Sequence, residues 1–390
     1  MSQLTPPPPR VTNAELDELL LSKGGIFLPD DEHDEGTKRH FQAIVNTFSQ
    51  NVLFAKSELY KDKPRQLEFG FMCGSDLNAF AYASPPSNSL PFDFIGMNVG
   101  IIFTLLGIFG RILAHPQNFP DVGDSSKENP SPPTIAFLST DVMQSGYVAC
   151  APKCRIRSGF ASLLTQVALD FLFFHELTHL RNGHLEYVRA SLRLNHWPEA
   201  MAHSSNESDF LTRQTLEMDA DCGAVLLSLN KAFTLKANLA SVPHSIQVET
   251  KEAMLAAFGS AKQATQTVQF AAYLLFRLFD TECIWFEQSK KTHPPHAIRM
   301  TWIGATLYEI FNTRNAYKYC GEEFKIHGAQ TVLSAEVACA NLLGNQPDLR
   351  MLRSVVINSQ HLEYLDKLKA NWKSLRPVLE LHKRGGNLAA

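Results

Sequence analysis

The chain has 390 residues, of which 45% are hydrophobic and 19% charged, a composition that is typical of a folded globular protein and excludes a largely disordered one. Its formal net charge of −3 at pH 7 provides no overall positive field, so we expect neither nucleic acid nor an anionic membrane as a partner. Seven cysteines at scattered spacings do not resemble a disulfide framework and favour a reducing, cytoplasmic location.

The first part of the chain predicts a short tail followed by mixed helix and strand. Residues 1–12 are rich in proline and are expected to form a flexible tail, without the apolar stretch of a signal peptide. The apolar spacing from Arg39 to Tyr60 predicts a helix, and strands are expected at Leu77–Ala83 and Phe92–Val99. A further strand is expected at Thr134–Leu138.

The segment Ile95–Leu113 approaches the length of a membrane-spanning helix. It nevertheless contains Asn98, Thr104, Arg111 and four glycines, and aromatic or basic anchors do not flank it. We therefore expect a buried strand that runs into a core helix, and no membrane association.

The rest of the chain predicts helices. From about Ser158 the apolar spacing is almost wholly helical, with breaks near residues 196–203, 241–244 and 293–295. The fold class is therefore expected to be α+β, with a small N-terminal sheet and a mainly helical remainder. We expect one main domain over residues 13–310 and a helical C-terminal extension over residues 311–390.

The segment Leu169–Leu180 contains two histidines four residues apart, His175 and His179, in the motif HELTH. In a helix this spacing places both imidazoles on one face, where they can bind one metal ion. Glu176 is offset from that face but near enough to reach a water molecule at the metal, which is the position of a general base. The apolar residues before the motif predict that this helix is buried.

A catalytic zinc ion needs a third protein ligand and an open position for water, and two candidates are present. His184 is nearer, but Gly183 and His184 lack the spacing that the metzincin pattern requires. Glu217 lies farther along, which leaves room for the first helix to end near Gly183 and for a second helix to return antiparallel. Asp221, one turn after Glu217, can accept the free ring N–H of a ligating histidine. The apolar sequence that follows favours a buried ligand over solvated surface acids.

A third motif lies in Thr292–Met300. Pro294 and Pro295 end one helix and suit the first turn of the next. Such a break can aim His293 and Arg299 into a cleft as donors to a developing oxyanion, although by itself it is also typical of a helix–helix corner. The alternative for Arg299 is a structural clamp on a helix carboxylate.

Together these motifs resemble those of the gluzincin metallopeptidases of the CAAX-prenyl-protease type. The resemblance rests on HExxH at His175–His179, ExxAD at Glu217–Asp221 and HPP with a later arginine at His293–Arg299. Asn78–Ala81 reads NAFA, which that group carries on a strand beside the cleft. The best-known members are membrane proteins, whereas this chain lacks their transmembrane helices and is more similar to the soluble Lit-type phage-exclusion peptidases, which act on a translation factor.

The resemblance implies a zincin-like metallopeptidase core with Zn²⁺ as its cofactor. His175, His179 and Glu217 would be the zinc ligands, Glu176 the base and proton shuttle, and Asp221 would orient His175. Each of these roles is assigned only to a position that matches a motif of the family.

The same resemblance assigns the substrate side of the site. His293 and Arg299 would line the cleft, and the strand formed by Asn78, Ala79, Phe80 and Ala81 would pair with an extended peptide. Asp219 and His296 depart from the family pattern, and we expect neither to be a ligand.

The expected function is a zinc-dependent endopeptidase that acts on an intracellular protein, with phage defence as the setting that the Lit-type resemblance implies. A catalytically silent, zinc-stabilised sensor or interaction module is the alternative. Glu176 favours the enzyme, because a structural site needs no base. A membrane-associated peptidase is a further alternative, and the sequence leaves the oligomeric state and the protein substrate open.

Overall fold

The computed structural model describes residues 13–28, 35–60, 65–85, 90–135, 150–192, 207–241, 243, 246–279, 293–313, 319–347 and 359–389. This part of the chain is mostly helical with a small three-stranded sheet, which confirms the α+β class. The tail expected at residues 1–12 lies outside the described residues, as do the last three positions of the strand expected at Thr134–Leu138. Thr134 and Ile135 are described and form no strand.

The sheet consists of β1 (Gln66–Met72), β2 (Ala79–Ala83) and β3 (Phe92–Asn98). β3 is central, pairing parallel with β1 and antiparallel with β2. β2 and β3 lie within the two predicted strands, whereas β1 was not predicted.

Helices surround this sheet and form most of the described chain. Before the sheet come α1 (Ala14–Ser22) and α2 (Glu35–Phe54), and α2 continues into a π-helical turn at Ala55–Leu59. The later helices are α3 (Val99–Ala114), α4 (Arg155–Arg181), α5 (His184–Leu192), α6 (Glu207–Asn238), α7 (Val248–Phe258), α8 (Ala261–Phe279), α9 (His296–Thr313), α10 (Gly321–Leu343) and α11 (Ser359–His382).

β3 leads directly into α3, and both elements are almost completely buried. This confirms the strand and core helix expected for Ile95–Leu113. Within the described residues one helix, α4, is long and apolar enough to cross a membrane by length and composition, and 83% of its apolar window is buried inside the protein. The core helix of a soluble protein passes the same test, so this finding is weak evidence for a membrane span.

α4 is the central helix of the fold, packing against α3, α6, α7 and α8. It runs antiparallel to α6: the Asp170 carboxylate near the middle of α4 lies 2.6 Å from Lys231 Nζ, while His175 farther along contacts the earlier residue Glu217. α4 ends at Arg181, and Gly183 follows with φ of 77°. A Cβ atom at Gly183 would lie 2.5 Å from the backbone of His382, so glycine lets the end of α11 approach.

Arg157, near the start of α4, is fully buried and fixes the loop that follows α3. Its guanidinium donates to the backbone carbonyls of Leu113, His115, Asn118, Phe119 and Val122, at 2.7–3.0 Å. The Glu128 carboxylate lies 3.6 Å from Arg157 Nε and balances its charge. One side chain thus satisfies the carbonyls of Leu113, Asn118 and Val122, and it gives a second donor to the carbonyls of His115 and Phe119, which also accept backbone N–H groups of the loop.

We predict that Arg157→Met lowers the free energy of unfolding by about 3–5 kcal/mol, because it leaves Glu128 buried without its counter-charge and removes the donor to the carbonyls of Leu113, Asn118 and Val122. Urea unfolding followed by circular dichroism measures this. Arg155→Met is the matched control, since Arg155 lies on the same helix with its side chain 81% exposed and should change stability by less than about 0.5 kcal/mol. Equal stability of the two variants would contradict the prediction.

Candidate metal centre

His175 and His179 on α4 and Glu217 on α6 converge on one point in the core. Their potential ligand atoms all lie within 4.8 Å of one another. His175 Nε2 is 3.1 Å from both His179 Nε2 and Glu217 Oε2, and His179 Nε2 is 3.5 Å from Glu217 Oε1. Nitrogen ligands at about 2.0–2.1 Å from a tetrahedral zinc ion lie about 3.3–3.4 Å apart, so these spacings fit a common tetrahedral metal. The group can hold a metal ion.

Asp221 and Arg299 support this group from the side of His175. Asp221 Oδ1 lies 3.0 Å from His175 Nδ1, the neighbour expected from the sequence. Arg299 Nε and Nη2 each donate to Asp221 at 2.7 Å, and the guanidinium lies 3.9 Å from the centre of the Phe276 ring. Because a carboxylate only accepts hydrogen bonds, Asp221 favours the tautomer of His175 with its proton on Nδ1. The lone pair of Nε2 then points toward the metal position.

His179 has a different neighbour on its outer nitrogen. His179 Nδ1 lies 3.0 Å from His184 Nδ1, and His184 Nε2 lies 3.0 Å from Asp219 Oδ2. His184 therefore contacts the ring edge that faces away from His175 and is not in the converging group, so the geometry favours Glu217 as the third ligand. The sequence raised His184 only as a rival ligand and missed its contact with Asp219.

The charges around the two rings favour a cation between them. Burial lowers the pKa of His179 well below its usual range. Burial also acts to lower the pKa of His175, but Asp221 and Glu217 raise it to about 10. Burial acts to raise the pKa of Glu217, yet the imidazoles of His293 and His179 hold it well below its usual range. A cation is therefore stabilised where the two Nε2 lone pairs and the Glu217 carboxylate face one another.

His293 is the part of the site nearest to solvent. Its Nε2 lies 3.2 Å from Glu217 Oε2, and its side chain is 27% exposed. It is not among the three converging residues. A cavity of about 20 Å³ touches His175, His293 and Arg299, which is enough for about one water molecule. The exposed side of the metal group is therefore the side of His293.

Glu176, the expected base, is buried next to His175 on α4 and also lies outside the converging group. Arg299 was expected to line the cleft as an oxyanion donor. It does touch the small cavity, but it is buried and its guanidinium is paired with Asp221. This geometry favours a structural role for Arg299. His296 packs against the Tyr273 ring, with 5.8 Å between ring centres, and is outside the converging group.

The NAFA segment lies beside the helix that carries the two histidines. Ala79, Phe80 and Ala81 belong to β2, an edge strand of the sheet that contacts α4. Asn78 precedes the strand, and its carbonyl accepts from Asn98 N–H at 2.8 Å. Phe80 packs against Phe94 and not toward the metal group. The strand is thus placed at a sheet edge, where an added peptide strand can pair.

Comparison with protein-family models, with curated proteins and with solved structures finds no match for this chain. Any function therefore has to be argued from the motifs and from the geometry of the site.

We predict about one divalent metal ion per chain in the purified protein, measured by elemental analysis. His175→Ala and His179→Ala should each remove the metal, because two ligands cannot hold it tightly in competition with water. His327→Ala is the matched control. His327 lies on α10, contacts the Tyr319 hydroxyl and is outside the converging group. Full metal content in both ligand variants would disprove the site.

We predict that Arg299→Met destabilises the metal-free protein by about 3–5 kcal/mol, because the buried Asp221 loses its two guanidinium hydrogen bonds and keeps only His175 as a partner. Adding Asp221→Asn to Arg299→Met should recover part of this loss, since the remaining charge is removed. Urea unfolding in the presence of a chelator measures both effects. An unchanged unfolding free energy together with slower peptide hydrolysis would instead support the oxyanion role.

Proposed function

We propose that this protein is a zinc-dependent endopeptidase that hydrolyses an intracellular protein in the cytoplasm, with a zincin-like core over residues 13–310. The observation that carries the proposal is the convergence of His175, His179 and Glu217 at tetrahedral spacing, with Glu176 next to the first ligand. The resemblance to Lit-type peptidases adds phage defence as the proposed setting.

The donor set supports zinc as the metal. Two imidazole nitrogens and one carboxylate form a ligand set that catalytic zinc uses, with the fourth position left for water or substrate. His293 lies beside Glu217 but outside the converging group, which leaves that position open among the described residues. When bound, zinc would polarise the scissile carbonyl and make water a stronger nucleophile.

The chain's own residues supply the remaining functions. Glu176 would take a proton from the attacking water and deliver it to the departing amine. His293, on the solvent side, would donate to the oxygen on which negative charge develops. Asp221 would orient His175 and would itself be neutralised by Arg299. β2 would bind an extended stretch of the substrate through backbone hydrogen bonds.

A catalytically silent, zinc-stabilised module is the second candidate, and the burial of the site favours it. His175, Glu176, His179 and Glu217 are each at most 2% exposed, and the adjoining cavity holds about one water molecule. An endopeptidase with this structure must open on the His293 side before a peptide can reach the metal.

We predict that Glu176→Gln retains zinc but lowers peptide hydrolysis by about a hundredfold or more, because the amide cannot accept the proton. A proteome-derived peptide mixture is incubated with the full chain, and new termini are identified by mass spectrometry. Glu322→Gln is the control, because Glu322 lies exposed on α10 next to Lys325 and outside the metal group.

Two results would separate the candidates. New termini from the wild-type protein that disappear with Glu176→Gln support the peptidase. A zinc-containing wild-type protein that yields the same termini as Glu176→Gln over the whole mixture would support the silent module.

A further inference from the structure

Asp219 is a buried carboxylate between Glu217 and Asp221 whose charge the proposed reaction does not use. It accepts hydrogen bonds on both oxygens. Asn182 Nδ2 and His184 Nε2 donate to Oδ2 at 2.5 and 3.0 Å, and the backbone N–H of Ala389 donates to Oδ1 at 2.7 Å. Three donors from two distant parts of the chain therefore hold this carboxylate in one orientation.

The contacts of Asp219 determine which nitrogen of each neighbouring ring carries a proton. Because Asp219 only accepts, a neutral His184 carries its proton on Nε2, and its Nδ1 is then an acceptor. His179 Nδ1 lies 3.0 Å from that acceptor, so the proton of the His179 ring is held on Nδ1. The unprotonated Nε2 of His179 then points to the metal position, as a ligating imidazole requires.

The segment Arg384–Ala389 ties Asp219 to the end of α4. Arg384 Nη1 donates to both oxygens of the buried Asp93 at 2.7–2.8 Å, and Arg384 Nη2 donates to the Leu180 carbonyl at 2.8 Å. The N–H of Gly386 donates to the Arg181 carbonyl at 3.2 Å. This close approach requires glycine, because a Cβ atom at Gly386 would lie 1.8 Å from an oxygen of Asn182.

We propose that Asp219 and His184 are positioning residues that fix His179 for metal binding, and that the segment Arg384–Ala389 holds Asp219 in place. The proposal rests on the metal ion that the proposed function places at His175, His179 and Glu217. The C-terminal segment would then influence metal affinity. Ala389 donates to Asp219, Asp219 contacts His184, and His184 contacts the proposed ligand His179.

The first experiment measures the zinc affinity of the full chain by competition with a chromophoric chelator. We expect Asp219→Asn and His184→Ala each to weaken zinc binding about ten- to a hundredfold, the range for residues that orient a metal ligand. The double variant should bind zinc no more weakly than His184→Ala alone, because Asp219 acts through His184. Additive losses would overturn this order of action.

The matched control for lost stability is Asp170→Asn. Asp170 is a buried acid on α4 that contacts Lys231 and Asn51, and it lies outside the metal group. We expect Asp170→Asn to lower the unfolding free energy while zinc affinity stays within about twofold of wild type. If Asp170→Asn weakens zinc binding as much as Asp219→Asn, the effect is general destabilisation and the positioning role is overturned.

A second pair of variants tests the C-terminal segment. Ala389→Pro removes the N–H that Asp219 accepts, whereas Ala389→Gly retains it. We expect weaker zinc binding, about threefold or more, for the proline variant alone. Equal affinities of the two variants would remove the segment from the proposal.

A metal-independent measurement separates this inference from the proposed function. Imidazole ¹⁵N spectra of the chelator-treated protein report which ring nitrogen of His179 is protonated. We expect Nδ1–H in the wild type and a mixture of tautomers in Asp219→Asn. A wild type that binds no zinc would overturn the proposed function, whereas an unchanged His179 spectrum in Asp219→Asn would overturn the positioning role alone.

Discussion

Three carboxylates lie within five residues of one buried helix, and the rest of the site follows from how each is neutralised. Glu217, Asp219 and Asp221 on α6 are each at most 2% exposed. A buried carboxylate without partners costs several kcal/mol, so each needs a cation or several donors. Glu217 faces the imidazoles and the metal position, Asp219 accepts from three donors, and Asp221 pairs with Arg299.

The partners of these three carboxylates come from several elements and bring those elements together. Arg299 brings the start of α9 against α6, while His184 and Asn182 come from the turn that ends α4. The Ala389 N–H comes from the segment after α11. The buried charges of one helix therefore determine the approach of distant parts of the chain, including residues more than 150 positions away. Apolar burial along α4 supplies the energy, and the polar partners select the arrangement.

The sequence predicted best those contacts that depend on local helix geometry. His175 and His179 share a face because residues four apart always do so in a helix. A contact of Asp221 with a ligating histidine was also anticipated, because Asp221 lies one turn after Glu217 on the same face. That this histidine is His175 was implied by the family resemblance. Arg299 shows the limit, because a proline break indicates where a helix starts but not which carboxylate its arginine meets. Here that carboxylate is Asp221.

Contacts between parts of the chain that are far apart in sequence were not predictable. β1 was missed although Leu67, Phe69 and Phe71 alternate with Glu68 and Gly70 as in a half-buried strand. Its parallel pairing with β3 is the part that no local pattern encodes. The role of Asp219 was missed for a related reason. Its partners Asn182 and Ala389 lie on segments whose mutual approach no periodic pattern encodes.

The arrangement also bears on whether the site is structural or catalytic. Structural zinc sites are closed by four protein ligands, whereas catalytic sites use three and leave one position open. Among the described residues three potential ligands converge, and His293, 3.2 Å from Glu217, lies on the exposed side outside the group. The rings of His175 and His179 are held from behind, by Asp221 and by His184 with Asp219. Contacts on the outer nitrogens direct both inner nitrogens to one point, and three donors there are the number that a catalytic site uses and one fewer than a closed structural site.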